Sequence, residues 1–306
     1  MTSVGDRAVG ALLGVHVGDA LGATVEFSPA EEIARRFPDG HRDIIGGGPF
    51  EWRAGAPTDD TDLTVALCRA YLEADSSDDV VAAAGEHMLR WLRSGPVDIG
   101  GTTRAALEAF ARHRDPRRSG GTGDGSQANG SLMRTMPVAV ARHDDPERRR
   151  AEADRLSAIT HAHPVCRSAC VVYCDIAAEL LAGASPGAAV AGGLEAPLQA
   201  AVAQAIEDAS TAESLAALAG PRGGYVLWSL RIAIQSLMHA SEFEEALVEV
   251  VATGGDTDTN GAIAGGLLGA HFGVDAIPER WLATLELRDE LTAAARQLVD
   301  LRRRVQ

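Results

Sequence analysis

Residues 254–269 read Gly-Gly-Asp-Thr-Asp-Thr-Asn-Gly-Ala-Ile-Ala-Gly-Gly-Leu-Leu-Gly, so that an acidic segment runs directly into a glycine-rich one. Gly261, Gly265 and Gly269 recur every four residues and would share one face of a helix. Glycine inside a helix costs about 1 kcal/mol relative to alanine. The spacing therefore predicts a helix over residues 261–270 whose backbone comes close to another backbone or to a ligand.

The same glycine spacing occurs near the other end of the chain. Residues 7–22 carry glycines at positions 10, 14, 18 and 22, again on one predicted helical face. Small residues at this spacing indicate a membrane helix only inside a long apolar segment, and Asp19 lies within this one. The apolar run over residues 261–274 is too short to cross a bilayer. We therefore expect close backbone approach in both helices and no membrane partner.

Helical periodicity recurs along nearly the whole sequence, and persuasive alternating strand patterns are missing. Aromatic residues make up only 4% of the chain, and an alanine-rich, aromatic-poor composition favours packed helices over a sheet. Because no Pro/Ser-rich linker divides residues 1–306, the sequence predicts a single compact all-α domain of about a dozen helices. The other amphipathic stretches are residues 60–74, 78–94, 102–113, 146–159, 164–182, 186–208, 211–219, 225–240, 242–252 and 278–304, and the longer loops are residues 38–57, 94–101 and 114–130, the last expected to be mobile.

The net charge of −15 argues against nucleic-acid or anionic-membrane partners. It would also repel a phosphate-bearing ligand unless cations or local arginines reverse the field. Cys166, Cys170 and Cys174 recur every four residues, which fits neither a zinc ribbon nor a disulfide scaffold, and we interpret them as small buried residues. Reduced thiols and the lack of a signal peptide predict a cytoplasmic protein.

Two short acidic clusters stand at the predicted starts of helices. They read Thr58-Asp59-Asp60-Thr61-Asp62 and Asp256-Thr257-Asp258-Thr259. The simplest interpretation is helix capping, because Thr is a good N-cap residue and acids in a first turn complement the helix dipole. Capping does not explain the number of acids, which would repel one another if packed together without a cation. The clusters therefore predict a shared site for divalent cations with hard oxygen ligands.

The second cluster also matches the first half of an EF-hand calcium loop, through Asp256, Asp258, Asn260 and Gly261. The twelfth position of such a loop requires a bidentate glutamate, and Leu267 stands there. The EF-hand interpretation therefore fails, and Mg²⁺ or Mn²⁺ bound between both clusters is the better hypothesis.

Four further segments carry polar groups that could serve the same site. Glu26 follows the first glycine-rich helix, although a surface position at a helix end is equally compatible with the sequence. Asp98 could belong to the site or cap a helix that begins near residue 102. Residues 129–131 offer backbone N–H groups and short polar side chains suited to phosphate or ribose. His161 could donate to a substrate or be structural.

Taken in order, these segments resemble the ADP-ribosylglycohydrolase family, whose members remove ADP-ribose from modified side chains. The resemblance is carried by six motifs, which are Gly18-Asp19-Ala20-Leu21-Gly22 with Glu26, Thr58-Asp59-Asp60-Thr61, Asp98-Ile99-Gly100, Asn129-Gly130-Ser131-Leu132-Met133-Arg134, Thr160-His161 and Gly255-Asp256-Thr257-Asp258-Thr259. It implies an all-α orthogonal helical bundle with two magnesium or manganese ions at its centre.

The resemblance also implies roles for individual residues. The metal ligands would be Thr58, Asp59, Asp60, Asp256, Asp258 and Thr259, and the ADP-ribose cleft would include Gly100, Asn129, Gly130, Ser131 and His161. Glu26 matches a carboxylate that the family places beside the metals, and our hypothesis for the mechanism is that Glu26 or Asp60 takes the proton of the attacking water. Asp98 would face a modified arginine, as in the branch of the family that reactivates dinitrogenase reductase. Gly101 departs from the asparagine expected beside it in that branch.

The expected function is therefore metal-dependent hydrolysis of an ADP-ribosyl linkage, with ADP-ribosylarginine as the first candidate. The expected partner is an ADP-ribosylated protein or a small molecule that contains ADP-ribose. Two alternatives stay open, a catalytically silent ADP-ribose-binding regulatory protein and a dinuclear-metal phosphoesterase or pyrophosphatase. The sequence predicts neither the oligomeric state nor the choice between the two ions.

Overall fold

The computed structural model describes residues 2–218 and 223–301, and within these ranges it contains fifteen α-helices, several short 3₁₀ turns and no β-strand. The all-α prediction is thereby confirmed. In chain order the helices are α1 (Val4–Gly22), α2 (Ala30–Arg36), α3 (Asp59–Glu73), α4 (Ser77–Arg93), α5 (Gly101–His113), α6 (Met136–Ala141), α7 (Pro146–Ala158), α8 (Pro164–Leu181), α9 (Pro186–Gly193), α10 (Ala200–Thr211), α11 (Val226–His239), α12 (Phe243–Ala252), α13 (Thr257–Phe272), α14 (Glu279–Leu282) and α15 (Arg288–Val299).

Helices α1 and α13 pack against each other along their glycine faces. A methyl group added at Gly14 would lie under 3.0 Å from the backbone carbonyl of Gly265, and one added at Gly18 would lie as close to the carbonyl of Gly261. The reverse holds for a methyl group added at Gly261, which would meet Gly18. The glycine spacing that costs helix stability therefore allows direct backbone-to-backbone contact, as the sequence predicts.

The paired helices form the centre of the molecule. Every residue of α1 from Ala8 to Gly22 is buried, and so is every residue of α13 from Thr257 to Ala270. Helices α3 and α15 also pack on α1, whereas α8, α11 and α12 pack on α13. By length and composition alone the segment Val4–Val25 could cross a membrane, but its apolar window is entirely buried inside the protein. The segment has the environment of a core helix.

Several predicted elements differ in the structure. The stretch 186–208 is two helices, α9 and α10, because Pro197 in the connection lacks an N–H and cannot continue a helix. The stretch 278–304 is likewise divided into α14 and α15, with residues 302–306 outside the described part. Only a 3₁₀ turn, Leu215–Ala217, occupies the described part of stretch 211–219. The short helices α2 and α6 were not predicted, since each provides only about two turns of periodicity.

The loop over residues 114–130, expected to be mobile, is anchored at its centre. The Gly121 N–H donates to the Thr160 carbonyl (2.9 Å), and the Ala162 N–H donates to the Gly121 carbonyl (2.9 Å). Two short 3₁₀ turns, Pro116–Arg118 and Asp124–Ser126, flank this point. Through these backbone hydrogen bonds the loop that follows α5 is held against the segment that carries His161. The cysteines are free and buried, as predicted.

Candidate active site

The first turn of α3 is capped by residues from two parts of the chain. Thr58 is the N-cap residue, and its hydroxyl accepts from the Asp60 N–H (3.3 Å). Asp19, buried in the middle of α1, accepts from the N–H groups of Thr58 (3.1 Å) and Thr61 (3.2 Å) and from the Thr61 hydroxyl. Capping is therefore done by Thr58 and Asp19. The carboxylates of Asp59 and Asp60 are not needed for it.

The N-terminus of α13 meets the N-terminus of α3 through side chains of both acidic clusters. The Thr259 hydroxyl donates to Asp60 Oδ2 (3.2 Å), and the same oxygen accepts from the Thr58 hydroxyl (3.3 Å). Asp258 Oδ1 accepts from the Thr259 N–H (2.8 Å). Asp256 occupies the N-cap position of α13 without a side-chain capping bond. The positive ends of two helix dipoles therefore point toward one group of carboxylates.

Glu26 and Asp98 reach the same place from two loops. One carboxylate oxygen from each of Glu26, Asp98 and Asp258 lies within 4.8 Å of the other two. The loop that carries Glu26 is fixed to the second cluster, since the Phe27 N–H donates to the Gly255 carbonyl (2.7 Å). Asp98 does not cap α5, which begins after Gly100 without a side-chain cap.

A cavity of about 410 Å³ opens above these carboxylates. Ten of the predicted site residues line it, namely Glu26, Asp59, Asp98, Gly100, Asn129, Gly130, His161, Asp256, Asp258 and Thr259. Thr58 and Asp60 are buried behind the wall and reach the others through hydrogen bonds. The structure does not bring Ser131 to the cavity, because its hydroxyl contacts Ser157 (2.9 Å) and Cys170 (3.5 Å) in the core.

The carboxylates are strongly perturbed by their surroundings. Burial, followed by repulsion from neighbouring acids, raises the pKa values of Asp59, Asp60 and Asp258 well above the ordinary range. The same causes, with Asp98 as the first repelling neighbour, raise the pKa of Glu26 to about 9. Acids this close cannot all be ionised at neutral pH unless positive charge is present.

The carboxylate group has the composition of a site for a hard divalent cation. Asp60 Oδ1 and Glu26 Oε2 are buried and have no hydrogen-bond partner among the described residues. A cation would satisfy such oxygens and offset the repulsion between the acids. The donors are carboxylate and hydroxyl oxygens, which suit Mg²⁺ or Mn²⁺ better than zinc or copper. This cluster of acidic residues could therefore bind metal.

The loop that begins at residue 129 supports one of these acids. Asn129 Nδ2 donates to Asp256 Oδ2 (2.7 Å) and to the hydroxyl of Ser229 on α11 (3.0 Å). The Asn129 N–H donates to the Gly224 carbonyl (2.9 Å). Asn129 is thus a partner of a predicted metal ligand as well as a lining residue. Ser229 lies in an ordinary amphipathic helix, so the sequence carries no signal for its contact.

Other residues that line the cavity carry no functional signal in the sequence. Thr103 lies in a predicted helical run, and Gly223 and Gly224 precede α11. Phe27 is at the rim, with 62% of its surface exposed. The ring centroid of Phe27 lies 6.5 Å from that of Phe50. The backbone φ of Phe27 is 62°, which is unusual for a bulky residue. The backbone conformation could not have been read from the sequence.

Comparisons of the sequence with known proteins point to one family. A family model for ADP-ribosylglycohydrolase matches residues 1–306. The ADP-ribosyl-(dinitrogen reductase) glycohydrolase of Rhodospirillum rubrum is 34% identical over 288 residues, which cover 94% of this chain and 93% of that protein. The ADP-ribosylarginine hydrolase Tri1 of Serratia proteamaculans is 30% identical over 300 residues, covering 96% of this chain and 79% of that protein.

A solved structure gives the same result at the level of the fold. An ADP-ribosylglycohydrolase-related protein complex contains a chain that superposes with a TM-score of 0.83 at 32% sequence identity, covering 98% of this chain and 99% of that one. These relatives indicate hydrolysis of ADP-ribosyl linkages. The fold, the acidic cavity and the family match lead to one conclusion: the chain belongs to the ADP-ribosylglycohydrolase family.

Proposed function

We propose that this protein is a metal-dependent hydrolase that removes ADP-ribose from modified protein side chains, with ADP-ribosylarginine as its first substrate. The observation that carries the proposal is the convergence of both acidic clusters, Glu26 and Asp98 on one cavity. Two of the relatives above are named for activity on arginine or on dinitrogen reductase. A cytoplasmic location, a single domain over residues 1–306 and the absence of a nucleic-acid partner belong to the same proposal.

The predicted ligands divide between the two helix N-termini. Thr58, Asp59 and Asp60 would bind from α3, and Asp256, Asp258 and Thr259 from α13. When bound, two Mg²⁺ or Mn²⁺ ions would supply positive charge for the ribose hydroxyls and lower the pKa of a water. Because the charged residues that line the cavity are all acids, this charge would also reduce repulsion of a diphosphate.

Hydrolysis requires a base for the attacking water, and the structure favours Glu26 over Asp60 for this task. Each acid has one unpartnered carboxylate oxygen, but Glu26 lines the cavity, whereas Asp60 lies behind the wall and accepts two hydroxyl hydrogen bonds. The water oxygen would bond to the anomeric carbon of the ribose as the carbon–nitrogen bond breaks. The electron pair of that bond goes to the guanidine, which receives the proton released by the water.

Asp98 is placed to act on the leaving group. Its carboxylate lies within 4.8 Å of Glu26 and Asp258 and lines the same cavity. A carboxylate can bind the planar guanidinium through two parallel hydrogen bonds. Asp98 would therefore orient the modified arginine and help return the proton to the leaving nitrogen. Acid–base assistance of this kind contributes about 10²–10⁴ in rate.

The test is product identity. The protein is incubated with arginine-linked and serine-linked ADP-ribosyl peptides in Mg²⁺ or Mn²⁺, and the products are identified by mass spectrometry. We expect free ADP-ribose, formed faster from the arginine linkage. Binding without release would identify a regulatory binding protein, and release of phosphate or AMP would identify a phosphoesterase or pyrophosphatase.

A further inference from the structure

Arg134 is a buried cation directly behind the cavity floor. Its side chain is 1% exposed, and no carboxylate within residues 2–218 and 223–301 forms a salt bridge with it. Its guanidinium donates instead to two neutral oxygens, the Gly130 carbonyl (2.8 Å) and the Thr160 hydroxyl (2.7 Å). Burial lowers the pKa of Arg134 to about 10, and the charge of Asp59 offsets this only in part. Burial of an arginine that contacts no carboxylate is costly, so its position calls for a function.

The hydroxyl of Thr160 connects this cation to His161. Thr160 Oγ1 lies 2.8 Å from His161 Nδ1 and accepts from Arg134 Nη2 on its other side. A hydroxyl has a single proton. In the described part of the chain that proton has one acceptor, the imidazole Nδ1. Placing a proton on Nδ1 instead would leave the buried hydroxyl hydrogen unsatisfied, at a cost of about 1–3 kcal/mol.

The other ring nitrogen of His161 faces the cavity. A methyl group added at Gly130 would lie 2.9 Å from His161 Cε1 and 3.3 Å from Nε2, so this edge of the ring is uncovered only because residue 130 is glycine. No described residue hydrogen-bonds to Nε2, although the residue as a whole is buried. Burial, and next the positive charge of Arg134, lower the pKa of His161 to about 3. The ring is therefore neutral at physiological pH.

We propose that Arg134 is a positioning residue that acts through Thr160 to fix His161 as a neutral Nε2–H donor directed into the cavity. This inference rests on the proposed function for the identity of the acceptor, an oxygen of the ribose or of the diphosphate of ADP-ribose. The arrangement assigns His161 to ligand binding and excludes it from proton transfer. It also places a permanent positive charge beneath a cavity that is otherwise acidic.

The direct test combines nitrogen NMR with ligand binding, using the full chain in Mg²⁺. In the wild type, His161 should show a protonated Nε2 and an unprotonated, hydrogen-bonded Nδ1 at neutral pH, with the resonances assigned by their loss in His161→Gln. Thr160→Val keeps the side-chain shape and removes the hydroxyl. It should shift the Nδ1 resonance and weaken ADP-ribose binding about 10-fold, and Thr160→Ser should restore both.

A second pair of variants separates hydrogen-bond donation from proton transfer. His161→Gln places an amide N–H near the position of Nε2, so we expect it to lose less ADP-ribose affinity than His161→Leu. His161→Leu has no donor and should lose about 10-fold in affinity with a small change in kcat. Turnover abolished in His161→Gln would overturn the inference, since the ring would then be transferring a proton.

Two other results would also overturn the inference. One is a wild-type ring protonated on Nδ1, and the other is a Thr160→Val protein whose ADP-ribose affinity is unchanged. Failure of the proposed function is distinguishable from both. Wild-type protein with a protonated Nε2 that neither binds nor releases ADP-ribose would remove the proposed function while the hydrogen-bonded arrangement of Arg134, Thr160 and His161 still held.

Discussion

At the scale of single residues, the acidic clusters separate into residues that cap and residues that face the cavity. Thr58 and Asp19 satisfy the first turn of α3. Asp59 and the acids of α13 line the cavity. The sequence shows more acids than capping requires, but it does not show that Asp19 does part of the capping. The capping role of Asp19 could not be predicted, because the N–H groups that it accepts from are 39 and 42 residues away in sequence.

We expect Asp60→Asn and Asp256→Asn to reduce release of ADP-ribose by at least about 100-fold, since each removes a charge from the shared site. Asp62→Asn is the matched control. Asp62 lies in the same turn of α3 but accepts a hydrogen bond from Trp91 Nε1 (2.9 Å). Steady-state rates are measured with the arginine-linked peptide. If the acids were only caps, both variants would keep their turnover and lose about 1 kcal/mol of stability.

The raised carboxyl pKa values predict how stability depends on pH. A carboxyl whose pKa is higher in the folded chain binds its proton more tightly when folded, so it favours folding at low pH and loses that contribution as pH rises. For Glu26 the window extends from the ordinary value of 4.5 to about 9. Burial lowers the pKa values of His16, His41 and His161, so these rings do not gain protons in the folded chain between about pH 7 and pH 9. Burial raises the pKa values of the four cysteines, which therefore act in the same direction as the acids above about pH 8, and the part of the change that Mg²⁺ removes reports on the acids.

In EDTA, the urea midpoint of unfolding should therefore fall between about pH 7 and pH 9. Saturating Mg²⁺ should make the urea midpoint depend less on pH, because bound cations replace the protons on the carboxylates. A midpoint that rises with pH in EDTA would contradict the assignment of the pKa shifts to this cluster.

At the scale of elements, the glycine faces of α1 and α13 are what join the two acidic clusters. Their spacing was enough to predict close approach, since glycine at four-residue intervals has few other uses in a buried helix. The partner of each helix could not be predicted, because backbone contact leaves no complementary side-chain pattern. The division of α9 from α10 at Pro197 could have been predicted from proline alone. The family resemblance, rather than periodicity, supplied the roles of individual residues.

Adding a methyl group at this contact should loosen both the core and the site. Gly14→Ala places a methyl under 3.0 Å from the Gly265 carbonyl, a backbone atom that cannot rotate away. We expect the steric clash to lower the free energy of unfolding by about 1–3 kcal/mol. This loss opposes a gain of about 1 kcal/mol, because alanine favours a helix more than glycine does. Gly125→Ala, where an added methyl meets no atom within 4 Å, is the control. Urea unfolding measures both, and equal stability of the two variants would contradict backbone contact.

At the scale of the whole molecule, metal binding should be visible as stability. A ligand that binds only the folded state stabilises it by about 2.7 kcal/mol at 100 times its dissociation constant. Chelated protein titrated with Mg²⁺ or Mn²⁺ should therefore show a rising melting temperature, and Asp62→Asn should respond like the wild type. Asp256→Asn should respond weakly. Failure of the chelated wild type to respond to either ion would remove the metal from the proposal.

The pairing of α1 with α13 also constrains how the chain can be made. The Thr257 hydroxyl donates to the Gly22 carbonyl (2.8 Å) across 235 residues of sequence. Closing a loop of that length costs about 5 kcal/mol in chain entropy. At ordinary rates of translation, α1 would wait roughly 10–50 s outside the ribosome before its partner emerges. During this time the face of α1 that packs on α13 has no native cover, so a nascent chain that stops before residue 257 would be a client for chaperones or a seed for aggregation.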